Sequence, residues 1–178
     1  MQALKIIGLA VLASVVYGIA HDNVTARLCV EYFTIGHPKV IESQSPTQLA
    51  LAWGVIATWW MGVILGVPAA LCARLGKAPR LTARNLLRPI GALLIVMAAC
   101  STLAGLAGYL AASAGSIPID DFLDFIPPDR QVLFFTDLCA HNAAYAVGFF
   151  GGVGVCVWIL WKRSSLAKRA ATAHPNQA

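Results

Sequence analysis

The sequence predicts an all-α integral membrane bundle of four transmembrane helices with a short helical cap on the outer side, and three observations predict it. Of 178 residues, 58% are hydrophobic and 12% are charged, against about 45–50% and roughly 25% in an ordinary soluble domain, so the charge needed to cover a water-facing surface is missing. Four apolar runs, at about 4–20, 49–71, 89–114 and 132–161, approach or reach the ~20 residues that cross a hydrocarbon core of about 30 Å. Ten of the thirteen basic residues fall on one side of those runs. The mean hydropathy of +0.71 excludes a disordered chain. Five scattered cysteines are too few for a disulfide-stapled scaffold, and the fifteen glycines show no triplet period.

The first span, Leu4–Ala20, is barely long enough. Lys5, the short apolar stretch and the small residues Gly18 and Ala20 before His21 also fit a cleavable signal peptide; an uncleaved helix is the reading taken here. His21-Asp22-Asn23 then ends that helix or caps a new one. Arg27–Thr34 reads as a short helix with Arg27 and Glu31 at ion-pair spacing, ended by Ile35-Gly36-His37-Pro38. Ser45 is placed as the cap of the second span with Pro46 at its first position. That span, Leu49–Leu71, holds no charge; Trp59-Trp60 lies near its middle, as packing residues.

Gly76-Lys77-Ala78-Pro79 stops the second span, and a basic stretch, Leu81–Leu87, leads to the third, Pro89–Ala114. Asp120–Ile126 is too short to span and is placed at the membrane interface with its aromatics inward, before Pro127-Pro128 turns the chain into the fourth span at about Val132–Trp161. Trp158 and Trp161 beside Lys162 read as interfacial anchors. Residues 1–164 thus form one four-span domain, and 165–178 are expected to be a flexible cytoplasmic tail. Small residues recur four apart at Gly62/Gly66, Ser101/Gly105, Ala104/Gly108 and Gly148/Gly152, which suits close helix packing within the bundle or a homo-oligomer face.

Lys5, Arg74, Lys77, Arg80, Arg84, Arg88, Lys162, Arg163, Lys168 and Arg169 share one side, which the positive-inside rule makes cytoplasmic, with both termini. The other connections carry seven of the eight carboxylates. The net charge of +5 is therefore a topology signal and a contact for anionic lipid; nucleic acid is not an expected partner.

Chemistry should come from residues that membranes normally exclude. At 1.5 Å per residue, His141 stands roughly 31 Å and Asp137 roughly 37 Å from Lys162 along the fourth helix, four residues apart on one face. Three of the four histidines, His21, His37 and His141, fall at one membrane face together with Glu31 and Asp137. Imidazoles and carboxylates of this kind could hold zinc, iron or copper with a position left for water or substrate. Neither the Glu-x-x-His pairs of di-iron bundles nor His-Glu-x-x-His is present, so this is a constellation and not a motif. The competing reading makes the same groups polar glue, with Asp137 orienting His141 and Arg27 pairing Glu31. A thiolate pair at Cys139 and a Cys29–Cys139 bridge are weaker readings, and no Cys-x-x-Cys or Gly-x-Ser-x-Gly occurs.

The run Val24–Pro38 (VTARLCVEYFTIGHP), followed by Ser45-Pro46-Thr47 and Trp53–Trp60 (WGVIATWW), resembles a group of uncharacterised bacterial inner-membrane proteins over about residues 21–66. The resemblance implies a bacterial multi-pass protein and carries over no activity, cofactor or site. Three function classes stay open at this point: an outer-side polar pocket that binds metal, a non-catalytic subunit packing through glycine-rich faces against copies of itself or a membrane partner, and a transporter or oligomeric pore. The last has little support, because the second and third spans offer almost nothing polar to line a path.

Overall fold

The computed structural model of the chain describes residues 1–121 and 123–173. It is an all-helical bundle with four helical segments long and apolar enough to cross a membrane: Gln2–Leu28, Pro46–Arg74, Ala83–Ser113 and Gln131–Thr172. In chain order the elements are α1 (Gln2–Leu28), α2 (Val30–Thr34), α3 (Pro46–Ile56), α4 (Trp59–Arg74), α5 (Ala83–Ser113), a 3-10 turn (Ile119–Asp121) and α6 (Gln131–Ala173). Each of the four runs is longer than its apolar stretch. α1 passes through His21-Asp22-Asn23 and stops only at Leu28, so those residues lie inside a helix rather than at its end.

The second run is two helices. Between α3 and α4 the ladder is interrupted at Ala57-Thr58, where the Thr58 amide reaches only back to Val55 O, and the Thr58 hydroxyl donates to Gly54 O in place of a backbone amide. Trp59 and Trp60 open α4 immediately after the break, both largely exposed. Ser45 and Pro46 occupy the expected N-cap and first-turn positions. α5 starts six residues before the expected Pro89: Thr82 caps it, its amide donating to Asn85 Oδ1 at 2.8 Å, and Pro89 falls inside the helix. Left-handed glycines close α4 and α5, Gly76 at φ 78° and Gly115 at φ 66°, a backbone region that a Cβ disfavours. α6 is helical as far as Ala173, so helix covers residues 165–173 of the expected tail; 174–178 lie outside the described residues.

The helices pair as α1 with α3 and α4, and α5 with α6. Where two backbones approach closely, the small residues are the reason. A Cβ on Gly62 would stand 2.5 Å from Val11 Cα, and one on Gly54 2.5 Å from Ile19 N. Gly108 faces Cys139, Gly148 faces Met97 and Gly152 faces Leu65. The spaced small residues are thus filled by the chain's own helices. Large apolar side chains such as Leu12, Ile95, Leu103 and Phe150 point outward instead, the inverse of a soluble surface.

Two cores hold the ends. At one, Ile6, Ala69, Ala70, Ala73, Leu81, Leu86 and Ile159 pack together. Buried Arg163 fastens the α4–α5 connection there, donating from Nε to Pro79 O at 2.9 Å, from Nη2 to Ala78 O at 2.8 Å and from Nη1 to Cys72 O. At the other, Ala26, Cys29, Tyr32, Phe33, Leu49, Ala112, Ile119, Leu123, Ile126 and Phe134 form a cap over the helix ends. In the segment expected to turn its aromatics inward, Leu123 and Ile126 are buried and Phe125 is 55% exposed, because the turn at Ile119–Asp121 aims the aliphatic positions at the core; Phe122 lies outside the described residues.

Candidate metal centre

Just beneath the cap, α1 and α6 bring His21, Asp22 and His141 together. One ligating atom from each lies within 4.8 Å of the others. The two imidazole rings meet edge to face with centroids 4.5 Å apart, and His141 also stacks on Tyr32 at 4.4 Å. Asp22 and His141 are 5% and 8% exposed. Two residues from the first helix and one from the last therefore form a single group, Asp22 and His141 buried and His21 partly so.

The hydrogen bonds assign the ring tautomers. His141 Nδ1 lies 2.8 Å from Asp137 O, a backbone carbonyl that can only accept, so Nδ1–H donates and Nε2 carries the lone pair in the neutral ring. Ser101 Oγ donates its one hydrogen to Ala140 O at 2.9 Å; its 3.5 Å contact with His21 Nδ1 is then accepted from Nδ1–H. That leaves His21 Nε2 as a second lone pair, buried and without a hydrogen-bond partner among the described residues. The third donor is Asp22 Oδ1, 3.3 Å from His141 Nε2. Three electron-pair donors converge while the opposite nitrogen of each ring is tied to a protein acceptor, which is the outer-shell pattern that orients metal-binding histidines. A proton or a cation must lie between Asp22 Oδ1 and His141 Nε2.

Of the five residues the sequence singled out, the structure unites two. His21 and His141 are in the cluster. His37, in the turn after α2, donates from Nδ1 to Tyr32 O at 2.7 Å and packs against Trp53 at 4.8 Å; it stands in the same wall without joining the three donors. Glu31 is committed elsewhere: Arg130 Nε donates to Glu31 Oε2 at 2.9 Å, and Cys29 Sγ donates to the same oxygen at 3.4 Å. Arg27, expected to pair Glu31, instead donates to Asn23 Oδ1 and Thr47 Oγ1, because α1 ends between Arg27 and Glu31 and the two no longer share a helix face. Asp137 is fully buried with neither carboxylate oxygen hydrogen-bonded among the described residues. It does orient His141, but through its backbone carbonyl.

Asp22 is the member of this group that sequence reading missed, although an ionisable residue inside an apolar helix is itself a signal. The thiols take no visible part: all five are free, Cys29 and Cys139 included. Burial pushes the Cys29 thiol up to about 11, far from nucleophilic use. No protein-family model, no curated protein and no solved structure matches this chain.

Proposed function

We propose that this chain is a multi-pass protein of the bacterial inner membrane, both termini cytoplasmic, that binds one divalent transition-metal ion between His21, Asp22 and His141 near the outer face. The observation that carries the reading is the convergence of three lone-pair donors whose supporting hydrogen bonds already point them inward. Four-coordinate ligands at about 2.1 Å from an ion stand about 3.4 Å apart. The present 4.8 Å spread closes to that by side-chain movements of roughly 1 Å. Two imidazoles and one carboxylate leave positions open, which suits zinc or iron(II) and permits an oxygen ligand or an activated water. The orientation is supported by the basic residues, which sit around the α4–α5 connection and the far part of α6, at the end opposite to the donors.

The test is metal analysis of the full chain purified in detergent after growth with zinc, iron and copper. About one ion per chain is expected for the unaltered protein, and at least a tenfold lower content for His141→Ala. Unaltered protein that holds no ion under these conditions would sink the proposal and leave Asp22 and His141 as a hydrogen-bonded pair joining α1 to α6.

A further inference from the structure

Between the two helix pairs, directly below the three donors, lies a cavity of about 130 Å³. An apolar cavity of about 150 Å³ admits one benzene ring, so this one has room for about a single flat ring, and anything longer must run out along its open side. The wall follows α1 from Ala10 to Asp22 and α6 from His141 to Val155, about 18 Å and about 21 Å of helix at 1.5 Å per residue. It is a slot along the bundle axis. Its deeper part is mostly apolar, with Ala13, Met61 and Leu94 beside the single hydroxyl of Ser14, whereas its upper end is walled by the rings of Tyr17, His21, Tyr32, His37, Trp53 and His141.

Trp53 Nε1 reaches this wall buried and without a hydrogen-bond partner among the described residues. Tyr17 Oη lies against Ser101, whose oxygen can accept from it even though its own hydrogen goes to Ala140 O. Buried donors are rarely left bare, because an unpaired one loses its hydration without replacement. What Trp53 Nε1–H lacks is an acceptor oxygen, in a space lined mainly by apolar and ring side chains.

We propose that the slot binds a neutral, ring-headed carbonyl compound with a hydrocarbon tail, the chemistry of an isoprenoid quinone. The flat head sits among the aromatic and imidazole rings with a carbonyl oxygen on Trp53 Nε1–H, and the tail follows α1 and α6. No lysine or arginine lines the slot and Asp22 does, which selects against carboxylate and phosphate heads. Length selects against compact polar ligands. The inference stands on the slot and the bare Trp53 N–H, and it holds whether or not an ion occupies the neighbouring cluster.

The experiment uses the full chain, delipidated in detergent and titrated calorimetrically with a decyl-substituted benzoquinone, decanol and decanoate. The quinone is expected to bind at least tenfold more tightly than either other decyl compound. Trp53→Phe, which keeps the ring and removes the N–H, is expected to weaken it about fivefold, and Ala13→Phe, which fills the slot, to abolish it. Any other pattern from folded proteins overturns the proposal. Metal content measured on the same sample separates the two readings: quinone binding by metal-free protein sinks only the metal site, and metal without quinone binding sinks only this one.

Discussion

Asp22 and Asp137 are both buried aspartates beside His141, yet they hold it by different atoms. Asp22 presents a carboxylate oxygen, Asp137 its main-chain carbonyl. Asp22→Asn is therefore predicted to cut metal content at least tenfold, and Asp137→Asn to leave it unchanged, both read by metal analysis. The sequence made the histidines visible, because imidazole is rare in an apolar run. It could not single out Asp22, since neighbours on a helix diverge by about 100° and only α6, 119 residues away, makes one site of them. The Glu31–Arg130 pair, 99 residues apart, was hidden for the same reason. Burial pushes the Glu31 carboxyl up, but hydrogen bonds from backbone, Arg130 and Cys29 outweigh it and hold the group below the usual carboxylate range. A depressed folded value means that its stabilisation is present above the unfolded value of about 4.3–4.5 and is lost as pH falls through the folded one. The pair is partly exposed, so Glu31→Gln should cost about 1 kcal/mol or less. The expected drop in melting temperature in detergent, at most about 2–4 °C at pH 7, should shrink towards zero in acid.

At the scale of elements, the apolar lengths were legible and the discontinuity was not. Ala57-Thr58 sits in an unbroken hydrophobic run, and neither residue stops a helix by propensity; at the break α1 comes so close that a Cβ on Gly18 would stand 2.5 Å from Thr58 Cγ2 and 2.6 Å from Gly54 O. The close approach of α1 to α4 gives a sharp prediction. Gly62→Ala places a methyl 2.5 Å from Val11 Cα, backbone that cannot swing aside, and should destabilise by about 1–3 kcal/mol. Gly91→Ala meets nothing within 4 Å and should be neutral or stabilising by up to about 1 kcal/mol. Thermal unfolding of both variants in one detergent measures the difference. Equal effects would mean that α1 and α4 are not packed as described.

For the molecule as a whole, four apolar segments and the one-sided basic residues were readable directly, because span length and charge asymmetry are local properties of the chain. How the spans pair was not, since the glycines that set it look alike until each has a neighbour. A fluorescent-protein fusion after Ala178 is predicted to mature in the cytoplasm, while a phosphatase inserted between residues 38 and 45 should be active on the outer side; the reverse pattern would invert the proposed topology. The fastening by Arg163 carries one more consequence. Its three acceptors are main-chain carbonyls, to which moderate acid does nothing, whereas the cap depends in part on a carboxylate. Acidification should thus unzip the bundle directionally, with amide exchange quickening first around residues 29–37 and 123–131 while the turn at 75–82 stays closed.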